Sequence, residues 1–231
     1  MAEWLDNRKS FTKVLRNHEI AELEQINTDS GRYYKTPAGA LYPSATTVVG
    51  FLGKEAIEKW KKRVGVEEAE RISNKAATRG TRMHTLCEDY INGDPINPSE
   101  YDWNDQFQFK MLRRHLDAYV DNVHMQEVRL YSDYLKLAGT VDLVAEYNGR
   151  LSIIDFKTSK KLKEEKWILN YFCQATAYAI MYEELTGIPV PQIVIMIMVD
   201  DEEPQIFVKK RNDYVKDLLD IREKYRLTYN V

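Results

Sequence analysis

The stretch from Gly139 to Lys157 most constrains how this chain folds. Two apolar, β-branched runs flank Asn148-Gly149, a dipeptide suited to a two-residue hairpin turn. That turn fixes the register. Tyr147 faces Arg150, and counting outward brings Asp142 opposite Asp155. Directly opposed residues lie about 4.5–5.5 Å apart at Cβ, where like charges repel. Lys157, two residues past Asp155, projects from the same strand face. Val141, Leu143 and Ala145 line one face, with Val144, Leu151 and Ile153 on the other beside the acids. Strands apolar on both faces are covered strands, so these charges border a cleft. Opposed carboxylates call for a shared proton or a divalent cation. With the lysine they predict a metal-dependent hydrolytic site. The plain alternative is a surface hairpin with scattered charges.

Residues 1–30 carry Phe11, Val14, Leu15, Ile20, Leu23 and Ile26 at mixed spacing, which predicts helical or irregular cover. Arg32–Lys35 and Ala40–Tyr42 predict a small hairpin around Thr36-Pro37-Ala38-Gly39. Ser44, Thr46 and Thr47 precede an apolar run. Their hydroxyls suit a helix cap, or a phosphate at that helix end. Lys54–Arg63 is a basic helix with Trp60 among cations, a solvated face or a nucleic-acid-contacting one. Residues 66–92 predict a helix interrupted near Arg79-Gly80-Thr81 and stopped at Asn92-Gly93. His84 and Glu88, four apart, share one helix face. They read as a surface pair or, given the acid hairpin, as a route to a metal.

Phe107–Val123 has a helical apolar stripe. Glu127–Tyr134 alternates as a strand leading into the hairpin, completing an antiparallel meander. Thr158–Lys166 is a basic loop suited to phosphate contacts through Lys160 and Lys161, or merely solvated. Trp167–Thr186 is a helix ending at Gly187, with Gln174 and Tyr178 four apart. Gln192–Val199 is a buried strand, parallel to the one ending at Lys157 through that helix crossover. Gln205–Val208 is an edge strand and Asn212–Tyr225 a closing helix. The fold class is α/β with a mixed sheet (α+β). It forms one domain over 1–231: cover at 1–43, a helical region at 44–125, the sheet core at 126–210 and the closing helix at 211–231.

At 231 residues and 44% hydrophobic, the chain can bury one large core. It has no apolar run long enough to span a membrane. Its acidic N-terminal stretch predicts neither a secretory signal nor a typical transit peptide. The expected setting is cytoplasmic, in a bacterium or phage, or the mitochondrial matrix as a processed form. A net charge of −3 argues against nonspecific nucleic-acid binding over the whole surface, but it leaves room for a basic channel.

These motifs resemble the PD-(D/E)xK nucleases, whose αβββαβ core is restriction-endonuclease-like. Asp142 and Asp155-Phe156-Lys157 fill the acid and Asp-x-Lys places. His84 with Glu88, Gly139-Thr-Val-Asp142 and Gln174-Ala-Thr-Ala-Tyr178 match the additional motifs of the RecB-type subgroup. The chain is most similar to its exonuclease branch with mitochondrial and phage members, also through Pro43-Ser-Ala-Thr-Thr-Val-Val49 and Arg79-Gly-Thr-Arg-Met-His84. The resemblance implies Mg²⁺ or Mn²⁺ held by His84, Asp142, Asp155 and the Phe156 carbonyl. Lys157 would be catalytic, with Glu88 orienting His84 or a water. Gln174, Tyr178, Arg79, Ser44, Lys160 and Lys161 would contact the nucleic acid. The expected partner is DNA, single-stranded or with free ends, and unwinding would fall to a helicase or replication partner. An iron–sulfur cluster needs four cysteines; the chain has two, Cys87 and Cys173, and none is expected.

Overall fold

The computed structural model describes residues 3–15 and 20–230; the cover expected at residues 1, 2 and 16–19 lies outside them. Before β1 the described cover is irregular, the second of the two expected forms, apart from a single turn of 3-10 helix at Glu3–Leu5. Trp4 and Phe11 anchor it in the core. Strands β1 (Glu24–Thr28), β2 (Gly31–Lys35) and β3 (Leu41–Pro43) form an antiparallel sheet. The expected small hairpin is β2–β3. β1 has a single apolar residue, and its strand state comes from pairing with β2.

Ser44 caps the short helix α1 (Ala45–Gly50), its Oγ accepting the Thr47 N–H at 3.0 Å. The basic helix α2 (Lys54–Val64) buries no residue. Helix α3 (Val66–Asn92) runs unbroken for 27 residues, so the expected interruption at Gly80 is absent. A mid-helix glycine costs about 1 kcal/mol. The buried stripe Met83, Leu86, Cys87 and Tyr90 outweighs that cost. Helix α4 (Trp103–Tyr119) begins at an Asp102 cap, earlier than Phe107, and stops before Val123. The apolar spacing there fits either period, and pairing of Val120 with Tyr147 decides for strand.

The main sheet follows: β4 (Val120–Ser132), β5 (Leu137–Tyr147), β6 (Arg150–Ser159), helix α5 (Leu169–Thr186), β7 (Gln192–Val199), β8 (Gln205–Lys210) and helix α6 (Val215–Tyr229). Spatial order equals chain order, and only β6–β7 is parallel. The α5 crossover accounts for that pair. The protein therefore has the mixed α/β architecture read from its sequence.

Helices α3 and α4 cover one sheet face, packing on Leu143, Ala145, Ile154 and Phe156. Helices α1, α5 and α6 cover the other, over Val144, Ile153, Ile193 and Ile195. Cys87 and Cys173 are buried on opposite faces. One departure from strict alternation matters. Val141 packs with Val144 on the α5 side, whereas Leu143 packs toward α4, correcting the expected face of Val141. The faces switch around Asp142.

Candidate metal and catalytic site

The hairpin register holds from Tyr147–Arg150 to Leu143–Ile154, where the paired ladder ends. Beyond it, Asp142 reaches across in place of the β5 main chain, and its Oδ2 accepts the Phe156 N–H at 2.8 Å. A strand residue projects its N–H and C=O toward the same edge, so the Phe156 carbonyl is also left without a β5 partner. It meets His84 Nε2 of α3 at 2.9 Å. The expected face-to-face pair of acids thus becomes a fork. Asp142 opens toward α3. Asp155 turns toward α5, where Gln174 Nε2 donates to its Oδ1 at 2.9 Å.

A residue that the sequence reading passed over completes the α3 side. In the β4–β5 register, Glu127 falls opposite Asp142, at the position skipped between Gln126–Leu143 and Val128–Val141. Its backbone has φ 49°, a left-handed conformation costing a non-glycine residue about 1–3 kcal/mol. Ligand atoms of His84, Glu127 and Asp142 all lie within 4.8 Å of one another. His84 Nδ1 is 3.9 Å from Glu127 and 3.7 Å from Asp142. Glu127 was taken only as the start of a strand. The β4–β5 turn lacks the Asn-Gly signature that would have given its register.

The electrostatics of this cluster suit a cation. Burial alone would lower the His84 pKa, but Glu127 and Asp142 outweigh it and raise it to about 9. The two carboxylates thus favour the protonated form of the ring. Burial raises the Asp142 pKa, opposed by His84 and Lys157. Carboxylates, one imidazole and a main-chain carbonyl are a donor set that fits Mg²⁺ or Mn²⁺, and a divalent ion would take over the role of the proton on His84. His84, Glu127, Asp142 and the Phe156 carbonyl are the groups placed to hold it. Asp155, also expected as a ligand, meets Gln174 through Oδ1 and Lys157 through Oδ2, and that buried Oδ2, without a hydrogen-bond partner, stays in the candidate ligand set.

Lys157 Nζ lies 2.5 Å from Asp155 Oδ2, yet that buried oxygen has no directed hydrogen bond. The contact is an ion pair with poor hydrogen-bond angles. Burial raises the Asp155 pKa to about 6 against the lowering effect of Lys157. The ammonium also stands 5.4 Å from the centre of the Tyr171 ring. Glu88 shares a 310 Å³ hollow with His84 and Glu127, and the ring nitrogens of His84 meet the Phe156 carbonyl, Asp142 and Glu127. Burial, then Glu127, raises the Glu88 pKa.

The expected nucleic-acid contacts divide. Gln174 and Tyr178 line a 280 Å³ cleft with Asp142 and Lys157, but the Gln174 amide is committed to Asp155. Tyr178 is 2% exposed and packs against Gly139, where an added Cβ would come 2.8 Å from its ring. Ser44 is a buried cap, so capping prevails over phosphate contact there; Thr46 lines the cleft instead. Arg79 pairs with Asp200 at 2.7 Å and donates to Gln108 and the Ser159 carbonyl, tying α3 to the sheet. These contacts engage both of its Nη atoms, while its buried Nε has no partner among the described residues. Lys160 and Lys161 are exposed on the loop after Lys157, and Lys160 borders a separate 650 Å³ groove with Arg79 and Trp103.

The family description "PD-(D/E)XK nuclease superfamily" matches residues 59–226, and the chain belongs to that superfamily. Two relatives are both named Mitochondrial genome maintenance exonuclease 1. The Mus musculus protein is 28% identical over 111 residues, 46% of this chain and 32% of its own length. The Homo sapiens protein is 27% identical over the same shares. The chain thus spans about a third of the length of the curated relatives it matches. A crystal structure of a candidate exonuclease from Eubacterium rectale aligns at TM-score 0.43 and 13% identity, over 64% of each chain. Among the described residues, no helix is long and apolar enough to cross a membrane.

Proposed function

We propose that this chain is a metal-dependent deoxyribonuclease that hydrolyses phosphodiester bonds from the ends of single-stranded DNA. The observation that carries this reading is the convergence of His84, Glu127, Asp142 and the Phe156 carbonyl, which meets His84 instead of β5, beside Lys157. The names of the relatives support exonuclease over endonuclease. We read the whole chain as one nuclease domain acting in replication, repair or recombination, with a helicase or replication protein supplying unwinding.

Mg²⁺ or Mn²⁺, when bound, supplies Lewis acidity to the phosphate and to the attacking water. The residues of the chain do the rest. Lys157 projects its ammonium into the cleft, where it can orient a water and balance charge developing on the phosphate oxygens. Asp155, fixed by Gln174, holds that ammonium in place. Asp142 serves twice, as a ligand and as the acceptor that keeps the Phe156 carbonyl turned toward His84. Tyr178 closes the cleft floor against Gly139. The exposed Lys160 and Lys161 lie downstream on the loop that leaves the site.

The test is a time course on linear and circular single-stranded DNA of one sequence, with Mg²⁺, Mn²⁺ or EDTA, beside Lys157→Ala. Loss of the linear form alone, abolished by EDTA and by the substitution, is the expected result. Cutting of the circle would reassign the chain as an endonuclease. Normal cutting by Lys157→Ala would refute the site. Lys157 neutralises a buried carboxylate, so the variant also loses stability, and its melting temperature is measured alongside.

A further inference from the structure

Part of the cleft wall is built by the N-terminal sheet, which precedes the family match at residue 59. Two positions of its strand β2, Arg32 and Tyr34, line the cleft. The Arg32 guanidinium makes no hydrogen bond or ion pair with the described residues, and the residue is exposed. Its backbone, in contrast, is held on both sides. Its N–H donates to Thr47 Oγ1 at 3.2 Å, and its carbonyl accepts the Ser44 N–H at 2.8 Å.

Gly31 makes this clamp possible. Its φ is +136°, and a Cβ there would sit 2.5 Å from a Thr47 carbon. Tyr34, on the same face of β2 two residues on, is fully buried, and its hydroxyl lies 3.3 Å from Thr140 Oγ1 of β5. The alternation of β2 therefore presents Arg32 on the face that meets the site. An unpaired arginine on a fixed backbone shares one cavity with Asp142, Glu127 and Lys157. A cation on a held backbone, sharing a cavity with a cluster that could hold a metal, is the arrangement for an anion bridging the two. On a nucleic-acid strand, that anion is a backbone phosphate.

We infer that Arg32 is a substrate-positioning residue, gripping a backbone phosphate of the strand from the β2 side of the cleft. This rests on the nuclease reading above. The occupant is a phosphodiester of single-stranded nucleic acid.

The test uses the full chain as wild type, Arg32→Ala, Arg32→Lys and Lys35→Ala. Lys35 is an exposed cation on the other face of β2, outside the cleft. A fluorescent single-stranded oligonucleotide is titrated in EDTA over a salt series, and KM and kcat are measured separately with metal. Arg32→Ala should bind roughly 10- to 100-fold more weakly, the span of one lost charge-assisted hydrogen bond. Its log–log salt slope should fall by about 0.7, one single-strand phosphate's worth. KM should rise more than kcat falls. Arg32→Lys should recover the slope and part of the affinity, and Lys35→Ala should change neither. Wild-type affinity and slope in Arg32→Ala, or an equal change in Lys35→Ala, would overturn the inference while the nuclease reading stands. A wild-type chain that neither binds nor cuts would remove both.

Discussion

Gly139 and Tyr178 belong to different motifs, and the structure gives a physical reason for their coexistence. A Cβ at Gly139 would lie 2.8 Å from Tyr178 Cε1, 3.0 Å from its hydroxyl and 3.4 Å from Cζ. Non-bonded carbons prefer about 3.5–4.0 Å, so the ring would have to retreat by several tenths of an ångström. That shift disturbs its packing, since Tyr178 is 2% exposed in the core between α5 and the sheet. Overpacking of this kind costs about 1–3 kcal/mol. For a chain of this size each kcal/mol is about 2–4 °C in melting temperature, so Gly139→Ala should melt roughly 2–12 °C lower. Activity should fall as well, because Gln174, one turn before Tyr178, holds Asp155 at 2.9 Å. The assay is a double-mutant cycle followed by thermal and urea unfolding. In a Tyr178→Leu background the ring is gone, and Gly139→Ala should cost under about 0.5 kcal/mol, the level of independent sites. In Tyr178→Phe, Cε1 remains and most of the cost should persist. An equal cost in the wild-type and leucine backgrounds would refute the close-approach argument and make the glycine a matter of backbone freedom.

Two further outcomes follow from the site and the sheet. Glu127→Gln should weaken Mn²⁺ binding in titration calorimetry about tenfold or more, in line with loss of one charged ligand or its orienting bond; an unchanged Kd would remove Glu127 from the metal set. His124 of β4, whose Nδ1 lies 2.8 Å from the Tyr182 hydroxyl, has its pKa lowered below 6.5 by burial, against the raising effect of Glu146. Because the folded state then binds fewer protons, its contribution to stability is full above pH 6.5 and is lost as pH falls from there toward the folded pKa. Urea unfolding in EDTA at pH 7.5 and 5.5 should therefore show a smaller acid loss in His124→Asn than in wild type, and equal losses would contradict it.

Much of the fold was legible because its signals are local. Asn148-Gly149 set a register that holds over all five pairs up to Leu143–Ile154. Gly93 and Gly187, both left-handed, end α3 and α5 where expected. The continuous apolar run of β7 and the helix before it gave the parallel pair. Where local signals were neutral, tertiary contacts decided. Gly80 does not break α3, and Val120–Val123 joins the sheet rather than extending α4.

The site divides along the same line. By itself the sequence determined that Asp142, Asp155 and Lys157 would meet at one hairpin end, because a tight turn carries its register outward with a period of two. It also placed His84 and Gln174 on helices before and after that hairpin in the chain. Only the tertiary structure decided which acid does what. The strands fork after Leu143, sending Asp142 toward His84 and Asp155 toward Lys157 and Gln174. Only it brought in Glu127, whose register depends on pairing along β4 rather than on its turn, and Arg32, seated by a small sheet docked over β5. Contacts between segments about a hundred residues apart leave no period in the chain. They form when packing of the two sheet faces fixes where each strand must lie.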